Sequence, residues 1–396
     1  MKRILNTLCR ELRMLRHHPR YMILLTAGIL FSYVFFLTFM HEGQPENLPI
    51  AVVDHDGSYL SRRLCHELNA TQGVDVVALY DTHREAREAM QRQEIFAFLE
   101  IPAGTYSELL DFKTPHIALY SNNAYLLSGT LSYKTLSTIG KLASAAVQRE
   151  VLRKKGLAES QIMGMLQPVE IDTHLISNPW GSYLPYVLTT MLPGIIGVMA
   201  LLFTIYMTTN ELKHNTFRLW IASAGGDMLC AILGKLLPYT FWFTLLGVVG
   251  NIVMFGFCHF VCRGSFLALS ATMLLFILAM QSMGVFIAGL IPDQHLAVSI
   301  GGIYGMLSFS MAGFSYPVDS MPPALQALSY IFPLRHHYLA YAKTALFGGT
   351  LADYWPHICL LLLFLVPGLV GGLLLMRQSV GDEGCVPSVS NNKQSV

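Results

Sequence analysis

Hydrophobic positions fall into two arrangements along this chain. From Tyr21 to Met40 an apolar run carries no charged residue. Its length is about the 20 residues a helix needs to cross the hydrocarbon of a bilayer. Five further runs lie near 183–207, 228–254, 266–291, 296–314 and 354–376. Together they predict six transmembrane helices. A different pattern occupies 41–182, where short apolar stretches alternate with polar, helix-forming ones. Ile50-Ala51-Val52-Val53 reads as a buried strand, and Asp56-Gly57-Ser58 offers a turn and a cap for a helix over Tyr59–Leu68. Strands follow at Val74–Leu79, Ile95–Ile101 and His116–Tyr120, helices at Thr82–Gln93 and 104–112, and a long helix over about 124–155 leads back toward the second run. Strands alternating with helices predict crossover units and a largely parallel sheet. The expected fold class is an α-helical membrane protein with an α/β extracytoplasmic domain between helices one and two.

Charge sets the expected orientation. Lys2, Arg3, Arg10, Arg13, Arg16 and Arg20 precede the first run, which is longer than a signal peptide's and reads as an uncleaved anchor. A basic flank stays in the cytoplasm. Six crossings then place 41–182 outside and both termini inside. Lys213 and Arg218 fall inside between runs two and three, as does Arg377 after run six, and Arg263 is the one basic residue placed outside between runs three and four. Within residues 1–20, Ile4, Leu5, Leu8, Leu12 and Leu15 recur at helical spacing among the basic residues. That pattern suits a helix lying in the cytoplasmic interface, and a plain basic flank is the simpler alternative.

Composition confirms the class. The chain is 53% hydrophobic and 13% charged, with a mean hydropathy of +0.47, about half the charge of an ordinary soluble protein. A net charge of +1 gives no footprint for nucleic acid, and seven scattered cysteines without a C-x-x-C pair give neither a zinc site nor a disulfide framework.

Chemistry-bearing residues are few. Asp54-His55-Asp56 could hold a metal, but Asp at a strand-to-helix turn usually caps. His66-Glu67 lacks the second His of a zinc-hydrolase motif, since that position is Ala70. Gly234-Lys235-Leu236 resembles the tail of a nucleotide-binding loop without its upstream Gly or its hydroxyl residue. Lys235, at the cytoplasmic end of the third run, is long enough to snorkel to the interface. Gln281 is the most polar interior group, so an ion-coupled carrier with buried carboxylates is poorly supported. Cys258 and Cys262 could pair in an oxidising compartment or serve as small hydrophobes. His336-His337 could ligate a metal, though interfacial His is commoner.

Two connections draw attention. Residues 208–227 include Glu211, Leu212, Thr216, Phe217, Leu219, Trp220 and Ile221. They read either as an interfacial loop with Trp220 at the headgroups or as a short helix that docks on a cytoplasmic partner. Residues 315–352 are apolar but broken by Pro317, Pro322, Pro323 and Pro333, and read as short helices in or dipping into the outer leaflet. Residues 377–396 form a cytoplasmic tail.

Over essentially its whole length the chain resembles the ABC-2 type permeases, the membrane subunits of ATP-binding cassette exporters. The likeness is carried by Arg10-Glu11-Leu12 through Arg20, by Glu211 to Ser223 with Gly234-Lys235-Leu236-Leu237-Pro238, and by Gly313-Phe314-Ser315-Tyr316-Pro317 to Met321-Pro322 and on to Pro333 and Tyr338. The domain with Ala51-Val52-Val53-Asp54 and Ile101-Pro102 looks like the enlarged outer domain of the multidrug-efflux subgroup. The chain departs from the family's pattern at Lys213-His214-Asn215-Thr216 and at Arg335-His336-His337.

The resemblance implies a dimer of permeases, homomeric or heteromeric, each bound to a cytoplasmic ATP-binding subunit that holds the ATP and Mg. It implies coupling to that subunit through Glu211, Thr216, Phe217, Trp220 and Ile221, and an external hairpin shaped by Gly313, Phe314, Pro317, Met321, Pro322 and Pro333. It implies neither a catalytic residue nor a metal or cofactor in this chain, and a location in a bacterial inner membrane with a periplasmic adaptor and an outer-membrane channel as further partners. A membrane-anchored receptor or scaffold with an extracytoplasmic ligand-binding domain is the alternative reading, and an embedded enzyme built on Asp319, Arg335, His336 and His337 a third.

Overall fold

The computed structural model describes residues 2–17, 19–39, 43–110, 113, 115–166, 178 and 182–381. The last part of the 377–396 tail, part of the stretch before the second apolar run, and Met40 to Glu42 lie outside the described residues. The chain divides into two compact units, Met1–His41 with Leu175–Val396, and Glu42–His174.

The first unit begins with α1 (Lys2–His17) and α2 (Arg20–Phe39). Of the apolar positions of α1, Leu5 and Leu12 are exposed, whereas Ile4, Leu8 and Leu15 are half-buried on the inward face, which also buries Thr7 and Glu11.

The second unit follows in the chain. It contains β1 (Leu48–Asp54), α3 (Tyr59–Asn69), β2 (Val74–Tyr80), α4 (His83–Gln91), β3 (Ala97–Ile101), α5 (Thr105–Leu110), β4 (Ala118–Ser121), α6 (Leu126–Lys154) and α7 (Glu159–Leu166). The strand order is β2-β1-β3-β4. β1 pairs in parallel with β2 and β3, whereas β4 runs antiparallel to β3. The expected largely parallel sheet is therefore mixed. The only helix between β3 and β4 among the described residues is the six-residue α5, and β4 takes the edge of the sheet in the reverse direction. β1 is buried on both faces, with Ile50, Ala51, Val52 and Val53 fully enclosed. Ser58 caps α3 and Thr82 caps α4. Asp54 Oδ1 accepts from the amides of Asp56 and Gly57, both at 3.0 Å, so this carboxylate holds the turn after β1.

The first unit resumes with α8 (Tyr183–Lys213), α9 (Phe217–Ser223), α10 (Met228–Ile252, prolonged by a π-helical turn to Phe257), α11 (Phe266–Leu290) and α12 (Gln294–Ser310). It ends with α13 (Pro323–Ser329), α14 (Pro333–Tyr341), α15 (Leu351–Leu363) and α16 (Leu365–Gly381). Five helical stretches among the described residues are long and apolar enough to span a bilayer: Arg20–Phe39, Leu184–Lys213, Met228–Phe257, Phe266–Leu290 and Leu351–Arg377.

Two expectations change. The run at 296–314 forms a helix of 17 residues that stops at Ser310, at the short limit of about 17–25 for a crossing. The run at 354–376 breaks at Phe364. Pro367 explains the break, because its ring would collide with the carbonyl four residues earlier in a continuous helix. Cys258 and Cys262 are free thiols.

Residues 313–350 follow the proline-broken pattern closely. Gly313 takes φ +89°, and a 3₁₀ turn at Val318–Ser320 precedes α13, which Pro323 opens. Pro333 opens α14, and a π-helical turn at Ala342–Leu346 follows. His336 and His337 are buried within the protein, each 1% exposed, and the His337 ring stacks on Phe276 with 4.5 Å between centroids.

Candidate coupling site

The most charged part of the first unit's interior lies where α1, the last turn of α8 and the start of α10 meet. Thr7 and Glu11 are four residues apart on α1, and Lys235 and Tyr239 four apart on α10, so each pair shares a helix face. Gly234 lets the two helices touch. A Cβ there would sit 2.7 Å from Thr7 Cβ and 2.8 Å from the Ile4 carbonyl oxygen.

Glu211, in the last turn of α8, is the centre of the network. Arg10 Nη1 and Nη2 donate to its two carboxylate oxygens, both at 2.9 Å. Lys235 Nζ donates to Glu211 Oε1 at 2.7 Å and to Glu11 Oε1 at 3.2 Å. Arg10 Nη1 also donates to Glu11 Oε1 at 3.0 Å, and the Tyr239 hydroxyl to Glu11 Oε2 at 3.3 Å. Thr216 adds its hydroxyl to Glu211 Oε2. Two carboxylates therefore face two cations with no net charge. Burial works against the charged form of Arg10, but the hydrogen-bonded Glu211 carboxylate outweighs it and holds the guanidinium above its ordinary pKa.

Lys235 is 1% exposed. It does not snorkel: two carboxylates inside the protein hold its ammonium. The missed signal lay in the lone acids. Glu11 is the sole carboxylate among the first 41 residues, and Glu211 the sole one in 175–226. Each sits where positive charge is otherwise concentrated.

The site's floor is α9. Asn215 adopts φ 55° and reverses the chain between α8 and α9, a conformation Asn tolerates better than most residues. Phe217 and Trp220 then turn inward and meet edge to face at 5.5 Å. Trp220 Nε1 donates to the Ala231 carbonyl at 3.1 Å, and its ring lies 5.0 Å from Lys235 Nζ. At 1% exposure Trp220 is no headgroup anchor. Ile221 is half-buried in the same apolar group. Thr7 and Ser223 hydroxyls meet at 3.0 Å, tying α1 to α9. Outward, α9 presents Arg218, Leu219 and Ala222, next to exposed Lys213 and His214.

Asn215→Val should lower the melting temperature of the solubilised protein by an amount equivalent to about 1–2 kcal/mol, the penalty of a side chain in the left-handed region, whereas Asn215→Gly should leave it near wild type. Equal melting of the two variants would show that this turn is not strained.

The five expected coupling residues thus converge on one structure, but as its inner scaffold. The six hairpin residues form a separate group. Gly313 and Phe314 follow α12, and the Phe314 carbonyl accepts from the Tyr186 hydroxyl. Gln326 Nε2 donates to the Met321 carbonyl at 2.8 Å. Pro317 and Pro322 lie exposed, and Pro333 is buried at the head of α14.

A chain with five helices long and apolar enough to cross a bilayer among its described residues has the character of a multi-pass membrane protein. The chain belongs to the ABC-2 family of transporter proteins, whose sequence profile matches residues 20–374. It is similar to the probable multidrug ABC transporter permease YbhR of Escherichia coli K12, 22% identical over 327 residues, which cover 83% of this chain and 85% of YbhR. It is also similar to the probable multidrug ABC transporter permease YbhS of the same strain, 26% identical over 169 residues, 42% of this chain and 45% of YbhS. Glu211 and Lys235 fall within the family match, and Arg10 and Glu11 precede it.

Proposed function

We propose that this chain is the membrane-spanning permease subunit of an ABC exporter, moving a hydrophobic or amphipathic substrate outward with ATP hydrolysed by a separate cytoplasmic subunit. Its observational basis is the ion cluster under α9. Four charged groups from three helices lock the base of α9, and the outer face of that short helix stays open to a partner. A push on α9 would reach α1, α8 and α10 together through Trp220, Thr216 and Ser223.

In this reading α12 counts as a short sixth crossing, both termini and α9 face the cytoplasm of an inner membrane, and residues 41–182 face the outside. The partners are a cytoplasmic ATP-binding subunit carrying ATP and Mg, a second permease, and a periplasmic adaptor leading to an outer-membrane channel. Substrate leaves beside the hairpin of residues 315–352. The multidrug description of YbhR supports an amphipathic cargo.

Leu219 is 67% exposed on α9, so Leu219→Asp should abolish capture of the cognate ATP-binding subunit while leaving the permease's own elution profile unchanged. Undiminished capture would remove α9 from the interface. Thiol labelling of a cysteine placed at Lys134 from outside intact spheroplasts, but not at Arg218, is the matching test of orientation.

A further inference from the structure

The segment between α12 and α15 buries a cation that meets no carboxylate among the described residues. Arg335, in the first turn of α14, is 7% exposed. A guanidinium carries five N–H donors. Nη1 donates to the Ser329 hydroxyl oxygen, and that hydroxyl gives its own proton to the Gln326 carbonyl at 2.6 Å. This partner is therefore neutral. The guanidinium carbon lies 4.3 Å from the centre of the Tyr330 ring, a cation–π contact. Nε is enclosed without a hydrogen bond. Nη2 also lacks one among the described residues, but it is not among the enclosed atoms, so it can be reached from outside.

The two acids of this part of the chain do not answer the charge. Asp319 is exposed and forms no ion pair among the described residues. Asp353 caps α15 by accepting from the Thr350 amide and hydroxyl, and the cation it lies near is Lys343. An unpaired buried charge is costly, and an anion from elsewhere would remove that cost. Nδ1 of His336 and Nδ1 of His357 are likewise buried without a partner among the described residues, in rings 6.2 Å apart. A metal ion between these rings is disfavoured, because Arg335 and Lys343 both lie within electrostatic reach of His357.

The surroundings select the kind of anion. Leu325, Leu328, Tyr330 and Ile331, which lead into α14, are exposed, and so is Trp355 two residues before His357. An anion that carries apolar chains covers these side chains, whereas a free ion leaves them bare. We infer that Arg335 binds the phosphate of an acidic phospholipid, whose acyl chains lie along the exposed apolar residues of α13 and α15. The site rests on the proposed orientation only for the leaflet that supplies the lipid. Binding in detergent reports it whichever way the chain faces.

The test titrates the full chain, stripped of lipid in dodecyl maltoside, with dioctanoylphosphatidylglycerol and follows its melting temperature. The wild type should gain stability saturably, as a ligand of the folded state requires. Arg335→Met, or Arg335→Gln should the first fail to fold, should need about tenfold more lipid for the half-maximal shift, the effect of losing a charge-assisted hydrogen bond. Cooperative melting of the lipid-free variant confirms its fold. Lys134→Met, which removes an exposed charge from the second unit, should titrate like wild type. Dioctanoylglycerol, which has the same chains without the phosphate, should give no more than the Arg335 variant gives with the phospholipid. Inorganic phosphate at 10 mM, about the concentration of a buffer, should give no shift. Identical titration of wild type and a folded Arg335 variant overturns the assignment, as does a full shift with inorganic phosphate or with dioctanoylglycerol.

Discussion

Glu211→Ala is expected to destabilise the protein by about 3–5 kcal/mol, the range for removing one partner from a buried ion pair. The side chain accepts two hydrogen bonds from Arg10 in a forked arrangement and a third from Lys235 at 2.7 Å. Without it both cations converge on Glu11 alone, and Lys235, almost wholly enclosed, has no route to water. Thermal unfolding of the solubilised protein, followed by size-exclusion chromatography, should show the loss. Lys235→Met alone should be damaging too, because it leaves two carboxylates with Arg10. Glu211→Gln together with Lys235→Met should be less damaging than the sum of the two single changes, since the pair is removed as a unit. Additive losses, or wild-type melting of Glu211→Ala, would show that the cluster does not hold α1, α8 and α10 together.

The parts of this architecture that depend on composition along one segment are legible in the amino-acid sequence. The apolar runs mark the long helices within a few residues, and the order of strands and helices in 48–155 agrees with the fold. What depends on two distant segments is not legible. The direction of β4 is fixed by its pairing with β3, which the residue pattern of either strand alone does not encode. The break at Phe364 is hidden because Pro367 sits in an otherwise uniform apolar run. Lys235 looks like an isolated interfacial charge because its carboxylates lie 24 and 224 positions away in the chain. Trp220 and Phe217 stand out as members of an amphipathic segment, yet periodicity cannot tell a face that seeks a partner from one that seeks its own helix bundle. Here the aromatic face turns inward, and Arg218 and Leu219 are the exposed residues.

The contact between α11 and α16 should prove as sensitive as the ion cluster, for a different reason. Lipid tails are as apolar as the side chains, so helices in a membrane associate by close packing, and small residues allow it. Gly371 marks the closest approach. A Cβ there would lie 2.6 Å from Phe286 Cα and 2.6 Å from the Val285 carbonyl oxygen, and one on Gly289 would lie 2.5 Å from the Gly371 carbonyl oxygen. One turn earlier the Gly368 amide donates to Ser282 Oγ at 2.7 Å, a bond that exists only while the backbones stay this close. The obstructing atoms are backbone, so no rotamer change relieves the clash. Gly371→Leu should therefore exceed the ordinary penalty of about 1–3 kcal/mol for an overpacked core and leave little folded protein in the membrane fraction. Gly302→Leu is the control, because a Cβ at Gly302 on α12 meets nothing within 4 Å. It should accumulate and melt like wild type. If Gly371→Leu did the same, α11 and α16 could not be packed backbone to backbone, and the Ser282–Gly368 hydrogen bond would have to be absent as well.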